Sequence, residues 1–164
     1  MFKQAVLKAA VAAALLGVSG FALASGTTSL TVNAKILGTC KVTTAPGTLD
    51  FSTIDPTGAS NATASTTFAM KCTNGTVSTA ATDDGGLHNS SGKRMQHSAT
   101  GSAFLPYSIS YSNDTGFTGA GFSGGAGTRT VTINGIVTPA NYADALVTGA
   151  AEVYADTVVI TVNP

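Results

Sequence analysis

The chain has 164 residues, with eight basic and eight acidic side chains, and only 10% of its residues are charged. A soluble domain ordinarily carries about 25% charged residues, and a nucleic-acid binder carries a clustered basic surface. Neither pattern is present. The low charge and the abundance of Thr, Ser, Gly and Ala suit a surface covered largely by copies of itself.

Residues 1–24 read as a secretory address. Met1 to Lys8 holds two lysines and no acid, Ala9 to Phe21 is apolar and small, and Ala22-Leu23-Ala24 forms an A-x-A cleavage signal before Ser25. The apolar run is shorter than the roughly 20 residues a membrane span needs. Cleavage after Ala24 leaves 140 residues, the size of one domain. It removes Lys3 and Lys8, so six basic groups face eight acidic ones in the mature chain. Export through an oxidising compartment makes Cys40 and Cys72, the only cysteines, candidates for a single structural disulfide. A metal or redox pair would need CxxC spacing or nearby histidines, and neither is there.

Strand and turn signals fill the mature chain. Leu30, Val32, Ala34 and Ile36 alternate with Thr31, Asn33 and Lys35, the period-2 pattern of a half-buried strand. From pattern alone, this segment is equally the first strand of its own domain. Thr66–Cys72 forms a second expected strand, with Phe68 and Met70 on one side. Thr76–Thr82 is a weaker one. Leu105, Tyr107, Ile109 and Tyr111 alternate around Pro106, which places that strand at an edge or starts it there. Thr128–Ile136 carries Val131 and Ile133 between threonines. In Thr157–Val162 the residues Val158, Ile160 and Val162 share a face. Gly-, Asn-, Asp- and Ser-rich turns separate these runs at Pro56–Asn61, Asp83–Gly92 and Ser112–Gly127. Only Pro139–Leu146 has room for a helical turn. Short strands separated by turns predict an all-β sandwich.

No motif carries catalysis. Gly119-Ala120-Gly121-Phe122-Ser123-Gly124 matches GxGxxG, but it precedes a Thr/Val strand rather than opening a helix, so it reads as a loop. His88 and His97 flank Lys93 and Arg94, with Asp83 and Asp84 upstream. No nucleophile elbow or HExxH accompanies them, and polar loop residues are expected there. Asp144 and Glu152 stand alone. Tyr107, Tyr111, Tyr142 and Tyr154 read as core or edge aromatics. No enzyme activity, cofactor, metal or nucleic-acid partner is expected.

A set of ordered elements carries a family resemblance. These are the alternating strand before Cys40, Phe51-x-x-Ile54-Asp55-Pro56, Met70-Lys71-Cys72-Thr73-Asn74-Gly75 and Asp84-Gly85-Gly86. They continue with Arg94-Met95, Leu105-Pro106-Tyr107-Ser108-Ile109, Ile133-Asn134-Gly135-Ile136-Val137-Thr138-Pro139, and the closing Tyr154-Ala155-Asp156-Thr157-Val158-Val159-Ile160-Thr161-Val162. In this order they resemble the spore coat protein U domain family, which includes subunits of archaic, Csu-type chaperone–usher pili. The resemblance implies an incomplete immunoglobulin-like β-sandwich, completed by a donor strand from a neighbouring subunit. It assigns residues 25–37 to an N-terminal donor-strand extension and 38–164 to the sandwich. Leu30, Val32, Ala34 and Ile36 are the implied donor residues, and Val158, Ile160 and Val162 line the edge of the acceptor groove.

The implied partners are copies of the chain or sibling pilins, a periplasmic chaperone and an outer-membrane usher. The implied location is a surface pilus supporting adhesion and biofilm formation. A spore or cyst coat protein, and an adhesin binding through the loops Asp83–Thr100 and Ser112–Thr128, are the alternatives.

Overall fold

The computed structural model describes residues 26–125 and 127–164; the expected export segment at 1–24 lies outside them. The chain divides between Lys35 and Ile36. In the first part, Gly26–Lys35 forms no strand and is exposed throughout. This departs from the alternating strand expected over Leu30–Ile36. A strand needs a partner ladder as well as an alternating pattern, so the pattern by itself does not make one.

The second part is all-β with one short helix, an immunoglobulin-like arrangement of antiparallel sheets. Its elements in chain order are β1 (Cys40–Thr44), β2 (Ala62–Cys72), β3 (Thr82–Asp83), β4 (Arg94–His97), β5 (Phe104–Pro106), β6 (Ser108–Ser112), β7 (Arg129–Val137), α1 (Pro139–Tyr142), β8 (Tyr154–Ala155) and β9 (Ile160–Thr161).

One layer is a four-stranded sheet in the order β1-β2-β7-β6. In its register Phe68 faces Val131 and Thr66 faces Ile133. The side-chain alternation of a strand then sends Thr66, Phe68, Met70, Val131 and Ile133 to the inner face and leaves Thr67, Thr130 and Thr132 on the outer one. Gly135 on β7 must be small, because a Cβ there would press on Leu49 and on the ring of Phe51. Those two side chains come from the irregular chain after β1 and fill the space between the layers.

The second layer contains two sheets, β5-β4-β8 and β3-β9. Backbone hydrogen bonds join them into one antiparallel pairing of residues 79–98 with 153–163. Ser98 N–H donates to Val153 O (2.9 Å), Leu87 N–H to Thr157 O (3.0 Å), Asp84 N–H to Val159 O (3.1 Å) and Thr79 N–H to Asn163 O (3.1 Å). The excursion between Leu87 and Arg94 interrupts the ladder and splits the layer.

Two hydrophobic clusters lie between the layers. Phe68, Met70, Val131 and Ile133 form one, with Val42, Leu49, Ile109, Tyr111, Phe117, Ile160 and Val162 packed against it. Leu105, Val137 and Tyr142 form the other, with Phe51, Ile54, Met95, Tyr107 and Tyr154 among their neighbours.

The single strand expected over Leu105–Tyr111 is two strands in different layers. Pro106 contributes no N–H to a ladder, and the chain crosses over at Tyr107 from β5 to β6. The helical turn falls within its expected span, at Pro139–Tyr142, where Pro139 opens it.

Candidate functional site

From Tyr154 to Val162 the chain alternates strictly. Tyr154, Asp156, Val158, Ile160 and Val162 are half-buried, and the residues between them are exposed, Val159 at 59%. A strand residue directs its N–H and C=O toward one edge. Val153, Thr157, Val159 and Asn163 direct theirs toward residues 79–98. The N–H and C=O groups of Val158, Ile160 and Val162 therefore face the opposite edge, and no strand among the described residues pairs with it.

Chain continuity locates this edge. Tyr107 links β5 to β6, so β5 lies over the β6 side of the four-stranded sheet, and the terminal strand, at the other end of its layer, lies over the β1 side. Among the described residues β1 also pairs on one edge only, with β2. Two unpaired edges thus run along one flank. Ile160 and Val162 reach from this flank to the first cluster without the full burial of its centre, where Val131 is 0% and Phe68 2% exposed.

The expected acceptor residues Val158, Ile160 and Val162 are thereby brought onto one face of one strand. Of the expected donor residues, Leu30 and Val32 are 85% and 80% exposed and Ala34 is also exposed. Ile36, at 82%, opens the second part of the chain.

Cys40 and Cys72 form the disulfide, with Cα atoms 4.1 Å apart, and they face each other at the end of the β1–β2 pair. Thr73 reinforces the same corner, where its N–H donates to Thr39 O (2.9 Å) and its Oγ1 accepts from Thr39 N–H (3.1 Å).

Sequence reasoning missed a set of polar contacts, one from Tyr111 across the layers and one from Tyr107 at the crossover, where its N–H donates to Lys93 O (3.0 Å). The Tyr107 hydroxyl donates to Asp156 Oδ2 (2.7 Å), and the Tyr111 hydroxyl donates to Asp83 Oδ2 (2.8 Å). Both carboxylates are fixed within their own layer. Asp156 Oδ1 accepts from Leu87 N–H (2.9 Å) and Thr157 N–H (2.8 Å). Asp83 Oδ1 accepts from Gly85 N–H (2.9 Å) and pairs with Lys93 Nζ (2.8 Å).

Burial, followed by the hydrogen bond to the facing carboxylate, raises the pKa of both tyrosines well above the ordinary phenol value. They remain donors. Burial also pushes the Asp83 carboxyl upward, but the bonds from Lys93, Tyr111 and Gly85 outweigh it and the net shift is downward. Asp84, which accepts from Gly86 and Val159 N–H, is likewise held below its ordinary value. The signal for this network lay in Asp84-Gly85-Gly86 and Tyr154-x-Asp156, but the tyrosine partners stand 49 and 28 residues from their carboxylates.

His97 corrects an expectation. It is a buried strand residue, 2% exposed, and not a polar loop side chain. Its Nδ1 accepts from the N–H groups of Ala99 and Thr100, both 3.2 Å away, and its ring lies edge-on to Tyr154. His88 lies against the Phe104 ring, over which Arg94 stacks at 4.0 Å. The GxGxxG run is a loop. Gly119 in it packs so closely on the carbonyls of Cys72 and Thr73 that a Cβ would overlap them. Among the described residues no group of three or more His, Cys, Asp or Glu is placed to hold a metal ion. None of their helices is long and apolar enough to cross a membrane.

The described body is thus a disulfide-stapled all-β domain with an unpaired strand edge beside a half-buried apolar row. The model of the Spore Coat Protein U domain matches residues 26–161, and the chain belongs to that family. Among curated proteins no match is found. The domain is associated with chaperone–usher pilus subunits, and the family is structural, associated with cell surfaces and coats.

Proposed function

We propose that this chain is a structural subunit of a chaperone–usher surface pilus that polymerises by donor-strand exchange and supports adhesion and biofilm formation. In this reading residues 1–24 direct export, 25–37 form the donor extension and 38–164 the sandwich that receives it. Leu30, Val32, Ala34 and Ile36 of one copy fill the flank beside Val158, Ile160 and Val162 of the next.

The observation that carries this reading is the unpaired main-chain edge of the terminal strand above an incompletely buried apolar row. An open sheet edge templates pairing with another chain, and strand addition supplies main-chain hydrogen bonds for affinity and alternate side chains for fit. Burying a Leu, Val or Ile contributes roughly 1.5–3 kcal/mol, and each ladder hydrogen bond adds about 0.5–1.5 kcal/mol. Leu30, Val32 and Ile36 are exposed in the single chain, so this burial is available to association. A periplasmic chaperone would cover the flank before assembly, and an outer-membrane usher would export the growing fibre.

The test is to replace Val32 and Ile36 together by Asp and co-express the chain with chaperone and usher. SDS-resistant multimers should disappear, and their persistence would refute the reading. The family's coat association favours a second reading, a coat-layer protein. Immunolabelling separates the two, since filaments on growing cells fit the pilus and a deposit confined to a coat layer fits the alternative.

A further inference from the structure

A sandwich that lacks a strand faces a physical difficulty, because the hydrophobic effect draws its two layers together over the vacant flank. A closed flank would have to reopen before any strand could enter. The structure contains two struts of fixed length that oppose this, one spanning the layers and one tying the crossover between them to the terminal strand. The side chain of Tyr111, from β6 in the four-stranded layer, reaches Asp83 in the other layer. Asp83 is the direct cross-strand partner of Ile160. The side chain of Tyr107, at the crossover between layers, reaches Asp156, two residues before Val158 on the terminal strand. The two contacts therefore bracket the row containing Val158 and Ile160.

Each strut is stiff at both ends. A tyrosine has only two side-chain torsions, and a hydroxyl-to-carboxylate hydrogen bond is of the stronger, directional kind. Lys93 and Gly85 N–H hold Asp83 in place, and Leu87 and Thr157 N–H hold Asp156. The raised pKa values keep both phenols protonated as donors.

We infer that Tyr107 and Tyr111 are positioning residues that hold the two layers at strand-accepting separation through Asp156 and Asp83. This inference rests on the strand-acceptor reading above. It assigns the two hydroxyls a role in the rate of strand entry beyond any role in stability. Each lost hydroxyl should slow entry by about tenfold, the effect expected for one charge-assisted hydrogen bond.

The experiment uses the full mature chain and a fluorescent synthetic peptide spanning Gly26–Leu37. Peptide uptake is timed by anisotropy for the parent, Tyr107→Phe, Tyr111→Phe and the double variant, and thermal unfolding is followed on the same samples. Phe keeps the ring and its packing and removes only the donor. The expected result is slower uptake at both sites, multiplicative in the double variant, with the slowing still present at temperatures where every variant is fully folded. Asp156→Ala, which removes the acceptor of the Tyr107 hydroxyl, should slow uptake at least as much as Tyr107→Phe, and adding Tyr107→Phe to it should slow uptake no further.

Equal uptake by parent and folded double variant would overturn the inference and leave the acceptor reading standing. The same holds if any slowing merely follows the unfolded fraction. If the parent takes up the peptide no faster than one carrying Asp at positions 32 and 36, the acceptor reading falls and the inference falls with it.

Discussion

Gly86 sits directly against the carboxylate of Asp156, so closely that a Cβ at position 86 would overlap it, and its φ is +90°. The Asp84-Gly85-Gly86 turn and the Tyr154-x-Asp156 element, 70 residues apart in the chain, are therefore two halves of one device. The glycine makes room for the carboxylate, and the carboxylate receives the N–H of Leu87 and the hydroxyl of Tyr107.

Gly86→Ala should consequently be costly. It adds a strained left-handed backbone to an overlap with a group that already has three partners. A loss of at least about 2 kcal/mol is expected, read as a lower denaturant midpoint for the mature chain. Gly125→Ala, in open space and without a positive φ, should stay within about 0.5 kcal/mol of the parent.

Reduction of the Cys40–Cys72 bridge, which spans a sequence separation of 32, should lower stability by about 3–4 kcal/mol in the chain-entropy account. The bridge also holds the open end of β1 against β2, so limited proteolysis of the reduced protein should add cuts near Thr39–Thr44 that the oxidised protein lacks. Urea unfolding with and without reductant, followed by mass mapping of the first cuts, checks both expectations.

Acid should weaken the body through Asp83. Its folded pKa lies below the value of 3.8 for a free carboxyl, so its contribution to stability is present above that value and is lost as pH falls through the lower folded one. Denaturant midpoints measured from about pH 5 down to pH 2 should fall, and Asp83→Asn should flatten the lower part of that slope. An unchanged slope in the variant would show that Asp83 is not among the groups responsible.

The proposed polymer has two distinct ends, and single-sided variants should reveal them. A copy with Val32→Asp and Ile36→Asp can accept but not donate, and a copy with Val158→Asp can donate but not accept. Each alone should yield no multimers with chaperone and usher. Mixed in equal amounts they should form dimers and nothing longer, visible as one SDS-resistant band. Ladders from either variant alone would contradict the assignment of its residues.

Much of the body was legible because period-2 alternation and burial coincide. Phe68 and Met70 on β2, Val131 and Ile133 on β7, and the alternating run to Val162 occupy the faces their patterns imply. Leu105–Tyr111 also alternates without a break, yet belongs to two layers, because side-chain periodicity does not record which neighbour the backbone pairs with. Leu30–Ile36 shows the same limit, since its pattern states what a strand there would bury and not where its partner is. His97 and the Tyr–Asp struts were invisible for another reason. Their partners come from distant segments, and a polar residue in an isolated sequence reads as solvent-facing until the fold encloses it.

The central claim is that the N-terminal segment of one copy lies along the terminal strand of another. A photoreactive residue placed at Asn33, in a mixture of isotopically heavy and light mature chains assembled with chaperone and usher, tests this directly. The account predicts heavy–light cross-linked peptides joining the segment around position 33 to residues 154–162 of a different copy. Cross-links confined within single copies, or reaching only other surfaces of a neighbour, would contradict it.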